Sequence, residues 1–208
     1  MPRAETGQDT RAAATVARIV GAARRLFVAK SYAEVTTEMI ARAADVTKGG
    51  LYHHFASKEA LYVSMMLEHL AESRSLFEEA AAMEGSARVR LGRLTRDFLD
   101  LPAQERELMR LVRRDINIFS GDDRDRLVSA YQEALPQRVE EIVTDGIRDG
   151  EIEPTDPRLL SWSFVALVEV VIGEYAHAVL GESTSARLDH VLDLFFGGAA
   201  AQRVEAMA

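Results

Sequence analysis

The chain has 208 residues, of which 48% are hydrophobic and 28% charged, a composition typical of a globular protein with one compact domain or a small and a larger one. It contains no cysteine, which excludes a disulfide framework, a cysteine metal site and a cysteine nucleophile, and is compatible with a reducing cytoplasm. Its net charge of −8 argues against nucleic-acid binding, but only if the charge is spread evenly along the chain.

The N-terminal part of the chain predicts helices and no signal peptide. The first residues, MPRAETGQDTRAAAT, are small and polar and lack the apolar core of a signal peptide. Strong helix formers follow, and no stretch alternates apolar and polar residues for long enough to predict a strand. Ser57 is placed to cap the fourth helix. The predicted helices cover about 10–29, 37–44, 48–54 and 58–83.

Two short helices joined by a tight turn, after a longer helix, form a helix-turn-helix. The second of them, 48–54, would be roughly 10 Å long and would fit a DNA major groove about 12 Å wide. Asp45 falls in the turn, where the chain needs a left-handed residue, and Asp tolerates that conformation better than most residues do.

The stretch TKGGLYHHFASK contains the residue types that a DNA-contacting helix uses. Glycines without a Cβ let the helix N-terminus, with its free N–H groups, approach phosphates closely. Lysines supply charge for the DNA backbone, rings and donors reach bases or phosphates, and threonines cap helices or donate to phosphates. The predicted DNA-binding residues are Thr36, Thr37, Thr47, Lys48, Gly49, Gly50, Tyr52, His53, His54 and Lys58.

Simpler interpretations exist for several of these residues. Gly49 and Gly50 are also compatible with a loop, and Leu51 and Phe55, four residues apart, are expected in the core. His53 and His54 are neighbours, about 100° apart on a helix, and lack the i,i+4 spacing of a helical metal-ligand pair. The sequence therefore predicts no metal site.

The rest of the chain predicts a helical bundle, for a total of about nine helices in an all-α fold. A helix with Leu91 and Phe98 ends at Pro102, and a second stripe runs from Leu108 to Phe119. Residues 125–149 are predicted as one helix kinked at Pro136. Two helices at about 158–180 and 185–198 complete the set. The longest apolar run, FVALVEVVIGEYAHAVL, is too short and too charged for a membrane span. We expect a cytoplasmic protein without membrane contact.

The charge divides between these two parts. Residues 1–60 hold nine Lys and Arg against six Asp and Glu, whereas residues 61–208 hold sixteen against twenty-seven. All three lysines of the chain lie in the first part. A basic N-terminal part on an acidic remainder is typical of a nucleic-acid module joined to another domain, although chance could give so small an imbalance.

Two acids in the bundle suggest a ligand pocket. Asp115 and Glu174 lie on apolar stripes, where an acid must be paired, neutral or facing a polar cavity. A cavity would suit cationic or hydrogen-bonding ligands, but an internal pair with an arginine such as Arg110, Arg113 or Arg138 is the favoured interpretation. The candidate ligand-binding residues are Phe98, Met109, Asp115, Tyr131 and Glu174.

The last two predicted helices are too apolar for exposed faces. They predict a core combined with a four-helix dimer interface, and the sequence does not assign faces to one or the other. The candidate dimer residues are Phe164, Val168, Leu188, Val191, Leu192 and Phe195.

An enzyme and a protein-binding helical adaptor are the alternatives to a DNA-binding regulator. The sequence has no HExxH, GxSxG or glycine-rich phosphate loop, and its five histidines form no recognisable triad, so we expect neither catalysis nor a cofactor. An adaptor would leave the concentration of lysines and glycines in 47–58 unexplained.

Residues 19–61, IVGAARRLFVAKSYAEVTTEMIARAADVTKGGLYHHFASKEAL, resemble the N-terminal domain of the TetR family of transcriptional regulators. DGEIEPTDP and the apolar helix after it resemble the C-terminal half more loosely. The resemblance implies a DNA-binding domain at 1–57, with its motif at about 37–54, and a ligand-binding and dimerisation domain at 58–208. It implies a homodimeric repressor that binds a palindromic double-stranded operator and is released by a small molecule.

The same resemblance implies roles for individual residues and shows some departures. Tyr52 and His53 match residues that face bases or nearby phosphates, whereas Thr37, His54 and Lys58 match residues that hold the DNA backbone. Ser31 and Asp45 stand where the family commonly has glycine, and Gly50 stands where it often has Thr, Ser or Ala. Specificity is therefore expected to depend on Lys48, Tyr52 and His53.

Overall fold

The computed structural model describes residues 7–181 and 183–198 and confirms an all-α fold, with no strand in these ranges. A 3₁₀ turn at Ile116–Ile118 follows the sixth helix. Among the described residues there are eleven α-helices: α1 (Gly7–Ala29), α2 (Thr37–Ala43), α3 (Lys48–His54), α4 (Lys58–Ala82), α5 (Ala87–Asp100), α6 (Ala103–Asp115), α7 (Gly121–Ala134), α8 (Pro136–Arg148), α9 (Pro157–Val171), α10 (Glu174–Leu180) and α11 (Thr184–Gly197).

Two helices predicted as continuous are each divided. The predicted helix 125–149 is interrupted at Leu135, with φ −128° and ψ −62°, because Pro136 cannot donate a backbone hydrogen bond and disfavours the helical conformation in the residue before it. The predicted helix 158–180 stops at Val171 and restarts after Gly173, whose backbone is extended. Glycine is a poor helix former, and here it serves as the N-cap of α10.

The helices form two compact units that interleave along the sequence. One unit contains residues 1–72 and 102–130, and the other contains residues 73–101 and 131–208. The predicted functional boundary at residue 57 stays a prediction, because this division reflects packing.

The first unit has an aromatic core. α1 packs against α2 and α6, and α2 packs against α3. The buried rings of Phe27 and Tyr62 meet edge to face at 4.8 Å, and the Phe119 ring lies 5.2 Å from that of Tyr62. α2 and α3 are attached to this unit through the packing of α2 on α1 and on α3, which places their outer faces.

The second unit is a bundle built mainly on α8, α9, α5 and α11. α8 packs against α9 and α5, and α11 packs against α5 and α9. Its core residues include Leu91, Phe98, Ile142, Phe164 and Leu188. Within the described ranges, none of the helices is both long and apolar enough to cross a membrane.

Candidate functional site

The turn between α2 and α3 is held by a pair of backbone hydrogen bonds. Val46 N–H donates to Ala41 O over 3.0 Å and Asp45 N–H donates to Arg42 O over 3.3 Å, the pattern of a Schellman motif. Asp45 has φ +53° and is the single non-glycine residue with positive φ among the described ones. The predicted left-handed conformation of Asp45 is therefore confirmed.

Side-chain caps fix the starts of both helices. Thr36 Oγ1 accepts from Met39 N–H over 3.2 Å, and Thr47 Oγ1 accepts from Gly50 N–H over 3.0 Å. Both threonines are exposed, and each hydroxyl keeps its own hydrogen for donation. Capping, one of their two predicted roles, is confirmed. The cap predicted at Ser57 is present too, since its Oγ accepts from Ala60 N–H over 3.0 Å.

α3 has a buried side and an open side. Leu51 and Phe55 are buried, as expected for core residues. The open side presents Lys48, Gly49, Tyr52 and His53, which are all exposed. Gly50 and His54 are half-buried, and the His54 ring lies 5.1 Å from that of His53. Thr37 is buried, and its Oγ1 lies 3.3 Å from the Tyr52 hydroxyl. This hydrogen bond helps to fix the position of the Tyr52 side chain.

The two adjacent glycines have different surroundings. A Cβ on Gly50 would lie 3.2 Å from Thr47 Oγ1, the atom that caps α3. A Cβ on Gly49 would meet nothing nearer than that same oxygen at 4.0 Å. The fold therefore leaves room for a side chain at Gly49, and packing does not account for the glycine there.

The two lysines of this region contact protein groups. Lys48 Nζ donates to Glu38 Oε1, and this contact lowers the pKa of the Glu38 carboxyl to about 2 and raises the pKa of Lys48. Lys58 Nζ donates to the backbone oxygens of Tyr32, at 2.8 Å, and Val35, at 3.0 Å. It also lies 4.1 Å from the centre of the Tyr32 ring. Lys58 thus ties the start of α4 to the loop before α2.

The candidate ligand-binding residues are separated. Met109 and Asp115 belong to the first unit, and Phe98 and Tyr131 belong to the second. All four are buried, and the side chain of Glu174 lies outside the described residues.

Asp115 has an internal pair, as the favoured interpretation required, but with another arginine. Its carboxylate is 3% exposed and accepts from Arg114 over 2.6 and 2.9 Å and from the Tyr62 hydroxyl over 2.7 Å. Burial and this hydrogen bond raise the pKa of Tyr62. Arg110, Arg113 and Arg138 were the arginines suggested by the sequence, and none of them supplies these bonds. The arginine that supplies them is Arg114, the residue directly before Asp115 at the end of α6.

The second unit contains a cavity of about 660 Å³ that the sequence did not reveal. Its lining includes Trp162, Arg90, Arg158, Glu140, Glu141 and Asp145. Phe98, Met109, Asp115 and Tyr131 do not line it, although the ring of Tyr131 stacks on Trp162 with centroids 6.2 Å apart. Arg90 donates to Asp145 over 2.7 Å and lowers the pKa of that carboxyl. The polar residues of α8 that line this cavity were the feature of the sequence that could have indicated it.

The candidate dimer residues are mostly inside the chain. Phe164, Val168, Leu188, Val191 and Leu192 are buried, and Phe195 is half-buried with its ring 4.9 Å from that of Phe164. Exposed apolar side chains within the predicted helix 158–180 were missed by the sequence analysis. They are Leu159 and Val170 on α9, and Tyr175 and Val179 on α10.

Comparisons with known proteins agree with this architecture. The family model described as bacterial regulatory proteins, tetR family, matches residues 19–65, and the model described as tetracyclin repressor-like, C-terminal domain, matches residues 84–173. The uncharacterized HTH-type transcriptional regulator YhgD of Bacillus subtilis is 23% identical over 172 residues, which are 82% of this chain and 90% of YhgD.

Two solved structures have the same fold. FadR from Bacillus subtilis in complex with stearoyl-CoA has a TM-score of 0.74 and 20% identity, over 88% of this chain and 99% of FadR. AibR in complex with isovaleryl coenzyme A and operator DNA has a TM-score of 0.73 and 20% identity, over 88% of this chain and 98% of AibR.

Proposed function

The chain belongs to the TetR family of bacterial regulatory proteins, and on this basis we propose that α3 is the helix with which it reads its operator. The protein is a ligand-responsive DNA-binding transcriptional regulator and not an enzyme. It acts as a repressor in the cytoplasm, where it meets chromosomal DNA.

The open side of α3 is the observation that carries this proposal. Lys48, Gly49, Tyr52 and His53 are exposed together, while Leu51 and Phe55 fix the opposite side in the core. The Tyr52 and His53 side chains supply hydrogen-bonding groups for base edges, and the bare Gly49 lets the helix start approach the DNA.

The surroundings of α3 support contacts to phosphates. The exposed hydroxyls of Thr36 and Thr47 and the ammonium of Lys48 lie around the two helix starts. Thr37, Gly50, His54 and Lys58 support the same surface from half-buried or buried positions, and Lys58 does so through the loop before α2. These contacts position the helix, and contacts to bases give sequence specificity.

The test is operator binding measured by fluorescence anisotropy, with DNA taken from upstream of the gene and a scrambled duplex. His53→Ala should bind the operator more weakly and discriminate less, because a good base contact contributes about 1–3 kcal/mol. Gly49→Ala should fold at least as well as wild type and bind DNA more weakly. Val89→Ala, exposed on α5, is the control. If His53→Ala and Gly49→Ala both bind DNA like the wild-type protein, α3 does not enter the groove.

The exposed apolar side chains of α9 and α10 are our proposed dimer surface. Leu159 and Val170 are both exposed on α9, and Tyr175 and Val179 continue the apolar surface on α10. A two-fold dimer buries the same surface of both copies and matches a palindromic operator. Phe195, half-buried on α11, is a candidate for its edge.

For the effector, we propose an acyl-CoA thioester held in the cavity of the second unit. FadR and AibR, named above as complexes with stearoyl-CoA and isovaleryl coenzyme A, support this class. In the cavity, we assign Arg158 to the phosphate groups and the Trp162 ring, which lines the wall, to contact with adenine.

The acids of the cavity favour a second candidate, an organic cation. Glu140, Glu141 and Asp145 outnumber the two lining arginines, and Arg90 is already paired with Asp145. A ring such as Trp162 beside carboxylates suits a positively charged ligand.

Tryptophan fluorescence distinguishes the two candidates, because Trp162 is the one tryptophan of the chain and lines the cavity. Saturable quenching by acyl-CoA, and not by a quaternary ammonium compound, would support the thioester. Arg158→Gln should then weaken binding, and Glu140→Gln should not. The reverse pattern would favour the cation, and no response to either would reject this cavity as the effector site.

A further inference from the structure

Three possible metal-binding side chains meet inside the first unit. His69 and Glu72 lie three residues apart on α4, and Glu105 comes from α6. One nitrogen or oxygen atom of each lies within 4.8 Å of the others. This group is the one cluster of at least three His, Asp or Glu donors found among the described residues.

We propose that His69, Glu72 and Glu105 bind a divalent first-row transition-metal ion such as Zn²⁺ or Co²⁺. An imidazole nitrogen with carboxylate oxygens is a common ligand set for these ions. His69 Nδ1 lies 3.1 Å from Glu105 Oε2. Two adjacent ligands with bonds of about 2.1 Å to one ion are about 3 Å apart, so this pair already has the required spacing.

The position of His69 suits a ligand. The side chain is 2% exposed, and its Nδ1 faces the Glu105 carboxylate, so the ring is held by the surrounding core where it could share an ion with Glu105.

Arg24 of α1 is the cation that now occupies this cluster. Its guanidinium lies 3.3 Å from Glu72, 3.4 Å from Glu68 and 3.8 Å from Glu105, which are long contacts for ion pairs. Its Nε is buried and has no hydrogen-bond partner among the described residues. A metal ion that bonds directly to the carboxylates would compete with this guanidinium for them.

The competition with Arg24 gives the proposal a distinctive signature. Removing Arg24 should strengthen metal binding, whereas removing a ligand should weaken it. Glu68 contacts Arg24 but is not in the donor set, so it serves as a matched acid control. If the cluster is only an ion-pair network between α1, α4 and α6, these substitutions should not change metal binding in opposite directions.

The experiment uses the full chain, stripped of metal with a chelator and titrated with Co²⁺ and then Zn²⁺. Absorption and calorimetry should show one ion per chain, with at least tenfold weaker binding in His69→Gln and Glu72→Gln. Glu68→Gln and the double variant His53→Ala, His54→Ala should bind like wild type, and Arg24→Met should bind more tightly.

Two results would overturn the proposal. One is the lack of stoichiometric binding at millimolar metal. The other is binding that persists in His69→Gln and Glu72→Gln, or binding that is lost in the double variant His53→Ala, His54→Ala. Circular dichroism establishes that each variant folds. Should buried His69 not tolerate the change, Glu72→Gln alone decides, because its side chain is 57% exposed.

Discussion

Lys48 and Lys58, which the sequence assigns alike to DNA phosphates, have different environments in the folded chain. Lys48 is exposed and pairs with Glu38, a contact that water and salt weaken. Lys58 donates to two backbone oxygens and is half-buried. We therefore expect changes at the first to affect mainly DNA binding, and changes at the second to affect mainly stability.

Glu38→Gln should strengthen DNA binding. The pKa of Glu38 is about 2, so its charge is present at any pH used for binding, and its removal frees Lys48 for a phosphate. Affinity should rise several-fold for operator and scrambled duplex alike, and the salt slope should steepen by about one ion. Anisotropy at several salt concentrations measures both. Glu84→Gln, an equal charge change outside the helix-turn-helix, is the control, and equal effects of the two would contradict a local role.

Lys58→Met should destabilise the protein by about 1.5–3 kcal/mol, because the backbone oxygens of Tyr32 and Val35 lose a charged donor. Urea denaturation measures the loss. Lys48→Met is the matched lysine control and should change stability by less than about 1 kcal/mol, as expected for a surface ion pair. If Lys58→Met unfolds at the parental midpoint yet binds DNA poorly, its role is confined to phosphate contact.

For single residues, the sequence predicted interactions between near neighbours in the chain, but it did not predict partners that are distant in sequence. The caps at Thr36 and Thr47 and the left-handed Asp45 follow from neighbouring residues. The carbonyls that hold Lys58 lie 26 and 23 residues earlier, and no periodic pattern connects such positions. Asp115 was predictable as a buried paired acid, but the sequence did not single out Arg114 among the nearby arginines as its partner.

Among the elements, the turn between α2 and α3 is the one that orients α3, our proposed recognition helix. Asp45 adopts φ +53° there, a conformation that a β-branched residue adopts with greater strain. Asp45→Val should lower the free energy of unfolding by about 1–2 kcal/mol, whereas Asp45→Gly should not lower it. Thermal and urea denaturation test this pair, and equal stability of the two variants would show that the turn adapts its backbone.

Helices were more predictable than their breaks and faces. The predicted ranges for α2, α3 and α4 agree with the structure to within about two residues, as strong periodicity and caps allow. Pro136 and Gly173 were visible in the sequence, but whether each kinks a helix or ends it depends on tertiary packing. The apolar pattern of α9 likewise does not tell which side faces the core, and Val170 was overlooked for that reason.

For the whole molecule, we predict that Val170→Glu separates the homodimer. The Val170 side chain is 63% exposed in the single chain. In a two-fold dimer, the Val170 side chains of both copies should be buried at the interface. Losing about 1.5–3 kcal/mol at each copy would raise the dimer Kd more than about 100-fold. Val89→Glu, where the valine is 53% exposed on α5, is the control. Analytical ultracentrifugation reports both, and a parent-like dimer of Val170→Glu would place the interface elsewhere.

The interleaving of the two units sets an order of events during protein synthesis. The first unit needs residues 102–130, so it cannot be completed when residue 72 leaves the ribosome. At roughly 5–20 residues per second, the missing segment arrives several seconds later. Until then Phe27 and Tyr62 lack the Phe119 ring that lies against Tyr62 in the finished protein. Nascent chains therefore carry a DNA-binding motif while the aromatic core of the same unit is still incomplete, and chaperones that recognise apolar surface have those seconds in which to bind it.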